Sequence, residues 1–199
     1  MASGAREEIL RRLRDAAPPA VPLPDARGVA ARFADPVAQF EAAVAAVGGT
    51  AVRVADGPAL RAEVDALAVR LGARRIVSLV PAAGPGNVAI DALADPHELE
   101  GIDLAVLPGL FGVAENGAVW VNGAGLHHRG VFVVTQHLAL VVGVSQLAND
   151  MHEACARVAA LPRGYGVFIS GPSKTADIEQ ALVIGAHGAR SCTVFVVSS

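Results

Sequence analysis

From residue 36 onward, short apolar runs of strand length alternate with longer stretches whose apolar positions recur at helical spacing. The pattern predicts a helix over 36–47, a break at Gly48-Gly49, a strand over 50–54, a helix over 58–71 and a strand over 75–80. Such alternation is that of a βαβ chain. Residues 82–96, with their Gly, Pro and Asn, read as a loop, and residues 104–107 as a strand. Further strands are expected at 118–121, 131–135, 138–142, 166–169 and 193–197. Leu147, Met151, Cys155 and Val158 keep a helical period within 145–161, which Pro162-Arg163-Gly164 ends. A last helix is expected over 177–184, with Asp177 as its cap, Gln180 three residues on, and Gly185 as a left-handed stop.

Ahead of this domain, Ile9, Leu10 and Leu13 fall on one side of a short amphipathic helix over 5–15, and Ala17-Pro18-Pro19 stops it. Residues 1–35 thus read as a helical arm with a Pro-rich linker, and residues 36–199 as one α/β domain without internal repeats. Hydrophobic residues make up 53% of the chain, and residues 130–149 contain no Asp, Glu, Lys or Arg. Thr135, Gln136, His137, Gly143, Ser145 and Gln146 interrupt that run into strand-length halves, which points to buried β-structure rather than a membrane span. A net charge of −3 and a pI near 6.0 provide no positive surface for nucleic acid. The N-terminus lacks the continuous apolar segment of a secretory leader, so a cytoplasmic location is expected. Two cysteines cannot ligate an iron–sulfur cluster, so this chain is expected to bind no cofactor and any redox centre to sit on partner proteins.

Three polar segments interrupt the apolar pattern. In Gly112-Val-Ala-Glu115-Asn116-Gly117, Asn116 and Gly117 suit a turn between two apolar runs. Glu115 then ends a buried strand, where a carboxylate is either paired or used; an acidic turn residue is the plainer alternative. The second segment is Leu126-His127-His128-Arg129-Gly130, with His137 further on. There is no HExxH pair, and adjacent histidines in a strand face opposite ways, so no metal is expected and Arg129 is the group available to a carboxylate.

The third segment is Ser170-Gly171-Pro172-Ser173-Lys174-Thr175, which leaves a strand and enters the expected last helix. Backbone N–H groups, the hydroxyls of Ser173 and Thr175, and the Lys174 ammonium together suit a carboxylate or phosphate. Pro172 stands where a Walker loop needs Lys. Of 16 basic residues, Lys174 is the sole lysine, which singles it out either as a ligand contact or as a solvated charge. His187, within Gly185-Ala-His-Gly188, serves either a site or a local hydrogen bond.

The run Ser170-Gly-Pro-Ser-Lys-Thr-Ala-Asp-Ile-Glu-Gln, followed by Leu182-Val-Ile-Gly-Ala-His-Gly188, resembles the C-terminal signature of the lactate-utilisation protein C family, the LUD-domain proteins. Leu99-Glu-Gly-Ile-Asp103, Ala114-Glu115-Asn-Gly117 and the position of His137 extend the resemblance, which runs over about residues 36–197. It implies a three-layer α/β fold like that of the ribose-phosphate isomerase and CoA-transferase superfamily, with a mostly parallel twisted sheet and helices on both faces. It also implies a part in oxidising L-lactate to pyruvate alongside iron–sulfur partner proteins. Asn116 departs from the family's usual Thr or Ser and makes the turn similar to the Ser-Glu-Asn-Gly motif of CoA-transferases. The family's Arg-rich loop is shortened here to His127-His128-Arg129.

The candidate catalytic residue is therefore Glu115. The candidate ligand contacts are Asn116, Gly117, Arg129 and His137 from the first two segments, and Gly171, Ser173, Lys174, Thr175 and His187 from the third. The leading reading is an accessory subunit of a lactate-oxidising system, with Glu115, Arg129 and Lys174 lining one pocket for a small anion. The alternatives are a CoA-transferase-like or cyclo-ligase-like enzyme with Glu115 as nucleophile, and a non-catalytic lactate or pyruvate sensor. A homo-oligomer is compatible with each.

Overall fold

The computed structural model describes residues 3–22, 31–176 and 182–198. Helix α1 (Ser3–Asp15) forms in the N-terminal arm, with Ile9 and Leu13 exposed. The domain opens with α2 (Pro36–Ala46), β1 (Thr50–Val54), α3 (Gly57–Leu71) and β2 (Ile76–Ser78). Asp35 caps α2 by accepting the N–H groups of Val37 and Ala38, each at 3.0 Å, and Asp56 caps α3 through the Ala59 N–H at 2.9 Å. Pro sits in the first turn of both helices, where its missing N–H costs nothing.

There follow β3 (Leu104–Pro108), β4 (Phe111–Val113), β5 (Ala118–Asn122), α4 (Val131–Val134), β6 (His137–Gly143), β7 (Leu147–Ala148) and α5 (Met151–Ala159). The chain ends with β8 (Gly166–Ile169), β9 (Lys174–Ala176), β10 (Leu182–Ile184) and β11 (Ser191–Val197). The central sheet has the order β1-β11-β6-β3-β2, and every neighbouring pair in it is parallel.

Both faces of this sheet are apolar and both are covered. Leu138, Leu140 and Val142 of β6, with Cys192, Val194 and Val196 of β11, face Phe40 and Val44 of α2 together with Val119 and Val121 of β5. The intervening residues, Ala139 of β6 and Phe195 of β11, pack with Leu60, Val64 and Leu67 of α3 on the other face. The period of two in each strand assigns its residues alternately to the two layers. The expected α/β architecture is thus present, a mostly parallel sheet with helices on both faces. On the α2 side, a second sheet of order β7-β4-β5-β8 shares the cover, and α5 packs on its outer face through Ala154.

The edge strand β2 is closed by the long loop after it. Asn87 accepts the Ile76 N–H at 2.7 Å and donates to the Arg74 carbonyl at 2.5 Å, so the loop serves as a substitute neighbour strand. No helix among the described residues is long and apolar enough to cross a membrane.

Three expected elements differ. Residues 131–134 form one helical turn, α4, instead of a strand: Val131 and Phe132 are buried while Val133 and Val134 are exposed, an in-in-out-out pattern that a pleated strand cannot produce. The helix expected within 145–161 begins only at Met151, because Asp150 caps it there by accepting the Glu153 N–H at 2.8 Å, and Leu147–Ala148 pairs with β4 instead. Of the helix expected over 177–184, residues 177–181 lie outside the described residues, and Leu182–Ile184 is a strand antiparallel to Lys174–Ala176. Gly185 has positive φ as expected of a stop, but its N–H donates to the Ser173 carbonyl at 2.9 Å and so closes a hairpin.

Residues 114–117 turn β4 into β5, and Gly117 has φ 66° with its Cα pressed on α2: an added Cβ would lie 2.6 Å from the Val44 nitrogen. Gly117→Ala therefore meets both left-handed strain and backbone overlap. It should cost about 2 kcal/mol or more, seen as a lower urea midpoint with an unchanged slope; an unchanged midpoint would contradict this packing.

Candidate functional site

The structure separates the sequence candidates into three places. Glu115 follows β4, as expected, but its side chain is exposed. Its carboxylate Oε2 accepts the Met151 N–H at 2.9 Å, at the start of α5. With Asp150 on the Glu153 N–H, it satisfies donors that the first turn of the helix leaves open, and a carboxylate is favoured there by the helix dipole. The expectation of a costly carboxylate ending a buried strand is corrected: the turn carries Glu115 outward. Asn116 Oδ1 accepts the Ala118 N–H at 3.1 Å, while its carbonyl accepts the Ser170 hydroxyl at 2.8 Å, tying this turn to the end of β8. Gly117 packs on α2 as described above.

Gly171, Ser173, Lys174 and His187 meet at a cavity of about 340 Å³. Phe132, Leu138, Val167 and Ile169 supply its apolar wall. Gly171 has φ 72°, and an added Cβ would lie 2.6 Å from the Val47 carbonyl oxygen, so this loop closes directly on the end of α2. Ser173 is held through its backbone, donating to the Ala189 carbonyl and accepting the Gly185 N–H, both at 2.9 Å. Its hydroxyl makes no hydrogen bond among the described residues.

Lys174 is exposed, and no described carboxylate pairs with it. Its Cε and Nζ pass over Gly48, 3.6 Å from where a Cβ on that glycine would stand, so the ammonium lies beside the C-terminal end of α2. Carbonyls at that end favour a cation and help to hold the charge at the cavity mouth. Lys174–Ala176 is a strand, and the helix start expected at Asp177 lies outside the described residues. Thr175, paired with Val183 in the hairpin, does not line the cavity.

His137 opens β6 opposite Ser191, and its Nδ1 lies 2.8 Å from the Ser191 hydroxyl. Burial, then the charge of Arg190, lowers its pKa from the ordinary 6.5, with Asp103 opposing them. His137 is thus a neutral strand residue next to Leu138, one position away from the cavity wall. His128 is buried with Nε2 at 2.8 Å from the Leu93 carbonyl oxygen, and His127 sits edge-on to it. Cys155 is exposed on α5, whereas Cys192 is buried in β11 and burial pushes its thiol up to about 12.

Arg129 lines a separate, larger cavity of about 630 Å³ with Trp120, Asn122, Arg163 and Tyr165. Its guanidinium carbon lies 5.8 Å from the Tyr165 ring centre. The same tyrosine also lines the smaller cavity, where it stacks with Phe132 at 6.3 Å, so one ring forms part of both linings. Sequence reasoning missed Tyr165, Trp120 and Arg163. The available signal was compositional: the chain has one Trp, within the predicted strand 118–121, and one Tyr, immediately before the predicted strand 166–169.

A parallel sheet is thus covered on both faces, beside a second mixed sheet and the antiparallel pair of Lys174–Ala176 with Leu182–Ile184. The family described as the LUD domain matches residues 37–197, most of the chain. The chain belongs to the LUD-domain family. This LUD domain is similar to Lactate utilization protein C of Halalkalibacterium halodurans, 34% identical over 108 residues, covering 50% of this chain and 46% of that protein. It is 33% identical over 91 residues to Lactate utilization protein C of Shouchella clausii, covering 43% and 39%. To Uncharacterized protein YkgG of Escherichia coli it is 28% identical over 115 residues, covering 54% and 46%. The matches thus span less than half the length of each of these relatives. A DUF162 family protein from Deinococcus radiodurans has the same fold, with a TM-score of 0.59 at 19% identity over 83% of this chain and 98% of that one.

Because His137 has a lowered pKa in the fold, the unfolded chain binds more protons than the native one between that value and the ordinary 6.5. Its contribution to stability is complete above pH 6.5 and is lost as pH falls from there towards the folded value. Urea midpoints measured downward from pH 7.5 should therefore decline below pH 6.5, and His137→Gln should flatten that decline; an equal slope in the variant would contradict the assignment.

Proposed function

We propose that this LUD domain serves lactate utilisation as a non-redox subunit that acts with separate iron–sulfur proteins in oxidising L-lactate to pyruvate, and that the Lys174 cavity receives a small carboxylate. The observation that carries the proposal is the convergence of Lys174, Ser173 and His187 on one cavity with an apolar wall. An ammonium without a described carboxylate partner suits a carboxylate ligand through a charge-assisted hydrogen bond. The Ser173 hydroxyl suits the hydroxyl or keto oxygen of such a ligand, and the wall that includes Leu138 suits its methyl group.

The names of the two Lactate utilization protein C relatives support the lactate part of the reading. The division of labour is supported by the cysteines, one exposed on α5 and one buried in β11, against the four thiolates of a usual cluster. The reading of Glu115 as a thioester-forming nucleophile draws no support from a carboxylate engaged at the start of α5, outside both cavities.

In extracts of a strain lacking this chain, lactate-dependent dye reduction should be lost and should return on adding the wild-type protein. Lys174→Ala should restore less, by roughly tenfold at limiting lactate. Full dye reduction without the chain would overturn the role, and restoration by Lys174→Ala equal to wild type would overturn the cavity.

A further inference from the structure

We infer that the Arg129 cavity is a second ligand site, distinct from the Lys174 cavity, for a phosphate-bearing molecule with a planar aromatic body, that is, a nucleoside phosphate. The cavity measures about 630 Å³. That lies in the range of sites for ligands much larger than lactate, roughly 300–1,000 Å³.

Its charge is unbalanced in one direction. Arg53 is engaged with Glu41, Arg61 with Asp65, Arg75 with the Glu98 and Glu100 carbonyls, and Arg157 with Glu153. Arg129 and Arg163 instead line the same cavity with no carboxylate partner among the described residues. Two guanidinium groups facing one space repel each other, and a phosphate, with several acceptor oxygens and more than one negative charge, relieves that repulsion by bidentate contacts.

The aromatic half of the inference comes from the walls. Trp120 and Tyr165, the sole tryptophan and tyrosine of a chain with 4% aromatic residues, both line this cavity. Flat rings of this kind favour offset or edge contacts with a base. The loop between them is shaped by glycine: a Cβ on Gly123 would lie 3.0 Å from Arg129 Cγ, 3.1 Å from Arg129 Cδ and 3.1 Å from Tyr165 Cδ1. A bare backbone there lets the Arg129 stem and the Tyr165 ring settle against the loop, which presets both groups before a ligand arrives. On the far side of Trp120, Gly166 makes room for the indole, since its Cβ would lie 2.2 Å from Trp120 Cζ2.

Because Trp120 is the only tryptophan, its emission reports on this cavity directly. Full-length protein titrated with ADP, excited at the red edge of indole absorption, should show a saturable change in emission. Arg129→Ala combined with Arg163→Ala should weaken binding about tenfold or more, with circular dichroism confirming an intact fold. Arg70→Ala, which removes an exposed charge from the last turn of α3, should leave the titration as in wild type. Inorganic phosphate alone and adenosine alone should each bind far more weakly than ADP. Absence of both an emission change and calorimetric heat with ADP would overturn the site. Equal affinity in the double variant would overturn the role of the arginines, and phosphate binding as tightly as ADP would overturn the aromatic half. The readout is independent of lactate-dependent dye reduction, so this site and the Lys174 site stand or fall separately.

Discussion

Strand β6 lies between β11 and β3 with apolar side chains on both faces, and that double burial governs the rest of the molecule. A strand polar on one face would need one cover; β6 and β11 need two. Helix α3 supplies the first. Helix α2 is too short to cover the other face alone, and the second sheet completes it through Val119 and Val121. Burying side chains such as Leu138, Leu140 and Phe195 contributes about 1.5–3 kcal/mol each, far more than the exposed ion pairs on α1 and α3, which are worth about 0–1 kcal/mol. The layers are therefore set by the sheet, and surface charge decorates them.

Both cavities follow from that arrangement. The chain passes between the two sheets at strand ends, and among the connections that do this are the residue 123–130 loop with α4 and the segment that follows β8. The smaller cavity forms where the start of β6 meets the hairpin, and the larger where β5 and β8 diverge beyond Asn122 and Gly166. Tyr165 lines both, and it stacks with Phe132 on the side of the smaller one. Glycines at 48, 117, 123 and 171 allow backbone and side chains to close up at these junctions.

Much of the fold was legible because the central strands are apolar runs of strand length and the helices before them keep helical spacing, with Gly48-Gly49 marking the break between α2 and β1. Legibility failed where the same residues suit two structures. The run Val131-Phe-Val-Val has high strand propensity, yet it lies in the connection into β6 and buries two neighbouring residues, so it forms a helical turn. Leu182-Val-Ile followed by Gly185 imitates a helix end until Lys174–Ala176 offers it a partner strand. The site was legible in part. The third segment does gather Gly171, Ser173, Lys174 and His187, but local spacing contained no sign that Arg129 belongs to another cavity or that Glu115 serves α5. Those facts depend on contacts between residues as far apart as Glu115 and Met151, which no window of sequence contains.

The central claim is that the Lys174 cavity, and not the surroundings of Glu115 or Arg129, receives the small carboxylate. A crystal structure of the protein soaked with pyruvate tests it most directly. The account predicts pyruvate density beside Lys174, Ser173 and His187, with Glu115 still accepting the Met151 N–H. Pyruvate bound against Glu115 or Arg129, with the Lys174 cavity empty at saturating concentration, would contradict it.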